Sequence, residues 1–196
     1  MHAHKLLVTL VISLLFSNAV VADYDSAYSS YTSKDYKTAF KEMLPYAESG
    51  HVDAQYWVAD MYRRGKGIQK NLSAAAKWYT KSAEQGDRWA QYNLGVMYDK
   101  GVGVLENDKT AVKWYTKAAE QGHASSQTNL GYMYDNGKGV LTDYVRAYMW
   151  YNIGAYNGND LGADNKSKIT KNMTPSQIEK AQEMSSRCLE SNYTDC

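Results

Sequence analysis

Outside its first 22 positions, this 196-residue chain carries two histidines, His51 and His123, and two cysteines, Cys188 and Cys196. These side chains could bind a metal, transfer protons near neutral pH or take part in redox chemistry. A zinc or iron site needs such ligands clustered, yet no His-Glu-x-x-His or Cys-x-x-Cys spacing occurs. Phosphate binding is the next chemistry to weigh, because glycine pairs recur at Gly65/Gly67, Gly101/Gly103 and Gly137/Gly139. A phosphate cradle needs a third glycine, or a following Lys-Ser, between a strand and a helix. None of the three pairs has that context. Gly-x-Ser-x-Gly, the sharp turn that presents a serine nucleophile, is absent as well. The sequence therefore predicts no catalytic, cofactor-binding or metal-binding residue, and no cofactor.

What must position these residues is a repeat. Ala75 to Thr110 is read again at Ala111 to Arg146, with 21 of 36 positions identical. The same step of 36 relates Trp78, Trp114 and Trp150, and also Gly50, Gly86, Gly122 and Gly158. A fixed period in this range marks stacked supersecondary units that cannot bury their apolar faces alone. Asn71, Asn107 and Asp143 fall in phase as N-caps of a first helix, A, which stops at the in-phase glycines. His51, Asp87, His123 and Asn159 follow those glycines and can cap a second helix, B. The unit is thus an αα-hairpin, and the glycine pairs are its inter-repeat turns. Two histidines two repeats apart cannot share a metal. Trp78, Trp114, Trp150 and Tyr79, Tyr115, Tyr151 read as inter-helix core, with an aromatic ligand box as the sharper alternative.

The two ends are different. Leu6 to Phe16 is an apolar run of 11 residues after His2, His4 and Lys5, too short to span a bilayer and suited to a secretory signal. Small residues before Asp23 place cleavage between Ala22 and Asp23, so residues 1–22 are expected to be removed. Residues 23–34 are expected to form an N-terminal capping segment, as a short helix or as a disordered tail. The array covers 35–158, as three full units plus helix A of a fourth. Residues 159–196 hold a degenerate repeat and a C-terminal capping helix, which Thr174, Pro175 and Gln177 start with a capping box. Basic and acidic residues number 22 and 21, a balance without the basic footprint of a nucleic-acid binder. Cys188 and Cys196 could be a disulfide, two thiols or part of a metal site; export to an oxidising compartment favours the disulfide. Such a bridge is expected to act on the capping helix alone.

The pattern A-x-x-W-Y-x-K-A-A-E-Q-G, carried by Ala111, Trp114, Tyr115, Lys117, Ala118, Ala119, Glu120, Gln121 and Gly122, resembles the Sel-one-like repeat family. Ala90, Gln91, Leu94, Gly95, Met97 and Tyr98, then Gly139, Val140 and Asp143, extend the resemblance over roughly residues 36–158. It implies an all-α fold, a right-handed α/α superhelix of the tetratricopeptide type with a 36-residue period. It also implies an adaptor or scaffold for protein complexes in a bacterial envelope or outside the cell. Cysteine-rich relatives linked to β-lactam or cell-wall chemistry carry paired cysteines within each repeat, and this chain has none there.

Aligning the repeats with each other separates constant from variable positions on helix B. Ala90, Leu94, Gly95, Met97 and Tyr98 recur and should face the core. Asp53/Trp89/Ser125, Trp57/Asn93/Asn129 and Asp60/Val96/Tyr132 vary at i, i+4 and i+7, which lie on one face. Trp57, Trp89, Val96 and Tyr132 on that face are the candidate partner-binding residues. Packing against a neighbouring unit or a capping segment is the alternative placement. The reading is an exported, monomeric, non-enzymatic scaffold, periplasmic or extracellular, that spans no membrane, binds no nucleic acid and docks another protein or peptide. The alternatives are a modulator of a cell-wall hydrolase or a β-lactam- or peptidoglycan-acting enzyme.

Overall fold

A computed structural model describes residues 24–196. The expected signal segment, with its cleavage site at Ala22 and Asp23, lies outside the described residues. Every regular element among the described residues is helical: α1 (24–32), α2 (Tyr36–Glu48), α3 (Val52–Arg64), α4 (Leu72–Glu84), α5 (Arg88–Lys100), α6 (Asp108–Ala119), α7 (Ala124–Asn136), α8 (Tyr144–Tyr156), α9 (Asp160–Ile169) and α10 (Pro175–Glu190). A single 3-10 turn, Thr170–Asn172, follows α9. The described residues divide into two compact units, 24–81 and 82–196.

Punctuation in the sequence becomes geometry at each helix start. The side chains of Asn71, Asn107 and Asp143 accept hydrogen bonds from the amides of Ala74, Thr110 and Arg146 at 2.9, 2.9 and 3.0 Å. His51, His123 and Asn159 do the same for Ala54, Ser126 and Gly162 at 3.3, 3.2 and 3.1 Å. Each satisfies one of the amides that a helix leaves unpaired at its first turn. Helices α3, α5 and α7 end on Gly65, Gly101 and Gly137 in the left-handed conformation, φ 70, 62 and 66°. The chain then turns towards the next repeat.

In the N-terminal unit, α2 and α3 pack as a hairpin around Ala39, Phe40, Met43, Ala47, Ala54, Val58 and Met61. Helix α1 closes this hairpin with tyrosines. Tyr24 stacks on His51 with ring centroids 4.2 Å apart, and Tyr28 and Tyr31 meet Trp57 at 5.6 and 4.7 Å.

In the C-terminal unit, helices adjacent in sequence pack in pairs from α5 to α9, and α10 packs on α8. The Leu-Gly pair at Leu94-Gly95 and Leu130-Gly131 explains how closely they approach. A Cβ at Gly95 would stand 2.7 Å from the Tyr115 ring, and one at Gly131 would stand 2.7 Å from Tyr151. The constant glycine is a seat for the next repeat's tyrosine. A chain of amides runs along the turns: Gln91 donates to the Ala83 carbonyl at 3.1 Å and accepts from Gln121 at 2.8 Å. Gln127 donates to Ala119 at 3.0 Å and accepts from Asn157 at 2.8 Å. Tyr193 ends that chain, its hydroxyl donating to Asn157 at 2.9 Å.

The tail that carries the second cysteine thus reaches beyond the capping helix. Cys188 and Cys196 are paired, with Cα atoms 4.7 Å apart. The tail between them turns back through left-handed Asn192 and Tyr193. The Tyr193 ring lies where a Cβ on Gly122 would come within 3.0 Å of it. The tail is thus fastened to the α6–α7 turn and the end of α8 as well as to α10.

Candidate functional site

Helices α5, α6, α7 and α9 enclose a groove of about 370 Å³ in the C-terminal unit. Helix α5 supplies Tyr92, Val96, Asp99 and Lys100, which recur on one face at helical spacing. Helix α7 supplies Thr128, Asn129, Tyr132 and Met133, α6 contributes Tyr115 to the floor, and α9 contributes Leu161 and Asn165. The groove is mixed in character, with aromatic and aliphatic walls around a few polar groups, as is usual for concave binding sites.

Asp99 is the buried charge of the site, 8% exposed. Its Oδ2 meets Lys100 at 2.9 Å and its Oδ1 meets Lys138 at 3.1 Å. Burial works to raise the Asp99 carboxyl, but the two ammonium groups outweigh it and hold it below the usual carboxylate range. Lys138, which also pairs with Asp108 at 3.3 Å, is raised in turn, mainly by its bond to Asp99. The Tyr115 hydroxyl lies beside Asp99 and Asn129, yet neither meets it with hydrogen-bond geometry, and it is buried without a partner. Burial, then the Asp99 charge, raises the Tyr115 phenol, so it stays neutral.

The ring of His123 packs between Trp89 and Tyr92, with centroids 4.6 Å from each. Because Nδ1 accepts from the Ser126 amide, the neutral ring carries its proton on Nε2. Burial, then the Arg88 charge, pushes the imidazole down to about 4. His123 is therefore a neutral helix cap packed in aromatic surroundings. Among the described residues no group of three or more His, Cys, Asp or Glu side chains could hold a metal ion.

The four candidates from the sequence take three different positions. Val96 and Tyr132, one repeat apart, line the same groove, and Tyr132 is 42% exposed. Trp89 is 49% exposed and lies edge-on to His123, outside the groove lining. Trp57, in the N-terminal unit, is half-buried under Tyr28 and Tyr31 of α1. Of the other lining residues, Tyr115 recurs between repeats and so reads as core. Leu161 and Asn165 sit in a segment whose apolar pattern is weak. A signal for Asn165 did exist, because it stands 36 positions after Asn129 and 72 after Asn93.

Paired helices, in-phase caps and glycine seats define an αα-hairpin repeat protein. The chain belongs to the Sel1 repeat family, whose repeat matches residues 52–87, 90–123 and 124–159, more than half of its length. A solved Sel1 repeat protein from Oxalobacter formigenes is 35% identical, with a TM-score of 0.69 over 74% of this chain and 57% of that one. A protective antigen of uropathogenic Escherichia coli strains, which displays an SLR fold, is 30% identical, with a TM-score of 0.54 over 80% of this chain and 42% of that one. The chain thus spans less than two thirds of either relative. No curated protein matches it.

Proposed function

We propose that this protein is an exported, non-enzymatic scaffold that docks a segment of another protein in the groove of α5, α6, α7 and α9. The carrying observation is the groove itself: Val96, Tyr132 and Leu161 offer apolar contact around a floor with a buried, unpartnered hydroxyl. Exposed aromatics at a concavity are where binding energy concentrates. Membership of the Sel1 repeat family supports a scaffold role, and the paired cysteines suit an oxidising compartment. Among the described residues no helix is long and apolar enough to cross a membrane.

The test is capture of a stoichiometric protein partner from a cell-envelope extract by the wild type and by a Tyr132→Asp, Leu161→Asp double variant. The wild type should retain the partner and the variant should lose it while its circular dichroism stays unchanged. Equal retention by both would remove the groove from the reading. The exported form should begin at Asp23; a protein in the cytosolic fraction still starting at Met1 would overturn export.

A further inference from the structure

We propose that the turn at Gly86 is a docking platform for a tyrosine presented by another protein, an empty copy of the platform that the chain's own Tyr193 occupies one repeat later. It lies outside the groove of α5, α6, α7 and α9, whose lining includes neither Gly86 nor Gln121.

The occupied platform shows what is recognised. The Tyr193 ring covers Gly122, where a Cβ would come within 3.0 Å of it, so the surface beneath the ring is bare backbone. The Tyr193 hydroxyl donates to Asn157 Oδ1 at 2.9 Å. That oxygen is aimed by its own amide nitrogen, which donates to Gln127 Oε1 at 2.8 Å. A carboxamide held by its nitrogen has an acceptor left to offer, and a phenol supplies the donor. Asn192 and Tyr193 are left-handed, at φ 51 and 69°, so a tight turn presents the ring.

The same parts recur 36 residues earlier without a tyrosine. Gly86 stands in for Gly122, and nothing lies within 4 Å of the place its Cβ would take. Gln121 stands in for Asn157, and its amide donates to Gln91 Oε1 at the same 2.8 Å. Among the described residues nothing donates to the Gln121 oxygen. Gly158 is equally open, but the position where its amide residue would stand is held by Tyr193 itself.

One difference narrows the ligand. Ala124 of the occupied turn is Arg88 at the open one. The Arg88 guanidinium reaches the Gln121 carbonyl at 3.3 Å and pairs with no carboxylate among the described residues. An acidic residue near the docked tyrosine finds its counter-charge there, as Asp195, two positions after Tyr193, finds Arg187 at 3.1 Å. The segment recognised is a turn that carries a tyrosine and an acidic neighbour.

The probe is the chain's own tail, a peptide of residues 188–196 closed through its two cysteines, added to isotope-labelled full protein and followed by amide shifts. Saturable shifts are expected at Gly86 and at the Gln121 side-chain amide, at millimolar peptide, because one ring and one hydrogen bond bind weakly. Tyr193→Phe in the peptide should weaken it by about fivefold, the worth of one neutral hydrogen bond. Gln121→Leu in the protein should weaken the tyrosine peptide by the same factor and leave the phenylalanine peptide unchanged. Misfolding cannot imitate that pattern, since a disturbed turn weakens both peptides. Equal affinity of the two peptides for wild-type protein, or equal weakening of both by Gln121→Leu, would overturn the platform. So would shifts confined to Gly122 and Asn157, where the peptide displaces the tethered tail, or no saturable shift at all. Shifts at Gly86 that grow with protein concentration alone would give the platform to the tail of a second copy and overturn a foreign partner.

Discussion

The environment of Asp60 in the N-terminal unit and that of Asp99 in the C-terminal unit are built from the same materials and end differently. Asp60, 2% exposed, accepts from Arg63 and Arg64 and from the Tyr31 hydroxyl at 3.1 Å. Tyr79 completes the set, accepting from Arg63 at 3.2 Å. Burial opposes the Asp60 charge, but the two guanidiniums prevail and hold the carboxyl below its usual range. Around Asp99 the cations are lysines, and the corresponding tyrosine, Tyr115, has a hydroxyl without a partner. The register position held by Asn93, Asn129 and Asn165 is Trp57 in the N-terminal unit, sealed by two tyrosines of α1. One helix-B face is therefore core where a capping helix covers it and a groove where nothing does. Repeat number matters less than what lies on top.

The largest expected break in this contrast is Trp57→Ala. Losing a packed indole from under α1 should destabilise the N-terminal unit by about 3 kcal/mol. Trp89→Ala, half-exposed, should cost less than about 1 kcal/mol. Urea denaturation followed by circular dichroism measures both; equal losses would mean that Trp57 is not a core residue.

Opening the terminal cysteine pair tests the other unit. Cys196→Ser should remove roughly 2–3 kcal/mol, the stabilisation expected of a short closed loop. Since Tyr193 reaches Asn157 and packs against Gly122, amide exchange should also quicken at the α6–α7 turn and the end of α8. Exchange that changes only within α10 would show that Tyr193 holds its place without the bridge.

The sequence legibly set the helices, because a period of 36 aligns every cap and turn with its copies. Asn107, His123 and Gly137 declare themselves by recurrence. Coverage is a different kind of information. Variability at Trp57, Trp89, Val96 and Tyr132 marks positions that carry no repeating contact, but a position is relieved equally by solvent and by a non-repeating cap. Residues 24–32 have no copy, so nothing in the periodicity could place their tyrosines over Trp57. Tyr115 hid for the opposite reason: its ring repeats a core role, while the isolation of its hydroxyl depends on Lys100 and Lys138 engaging Asp99. The Tyr193–Asn157 bond joins a repeated position to a tail that has no copy, and leaves no local signal.

Acid should distinguish the C-terminal unit through His123. The ring titrates near the ordinary 6.5 when unfolded and at about 4 when folded. Between these values the unfolded chain binds a proton that the folded chain refuses, so stability falls as pH drops from 6.5 towards 4, on the order of 2 kcal/mol. Asp60 and Asp99, both held below the carboxylate range, lose their contributions only at still lower pH. His123→Asn, which keeps a capping side chain like that of Asn159, should flatten the profile across this window. A profile with the same slope in wild type and variant would assign the acid sensitivity elsewhere.

The smallest effect sharpens the contrast most directly, by removing one oxygen from each of two equivalent tyrosines. Tyr79→Phe takes away a hydroxyl that accepts from Arg63 and stands 3.5 Å from Asp60, so it should cost about 1 kcal/mol. Tyr115→Phe removes a buried hydroxyl that has no partner in the unliganded protein. Its desolvation penalty disappears with it, and the change should be neutral within about 0.5 kcal/mol, or stabilising. If docking supplies the missing partner, Tyr115→Phe should weaken capture of the docked protein while leaving the urea midpoint where it was. A Tyr115→Phe loss as large as that of Tyr79→Phe would mean that the hydroxyl is already satisfied, by Asn129 or Asp99, and that the floor of the groove is closed.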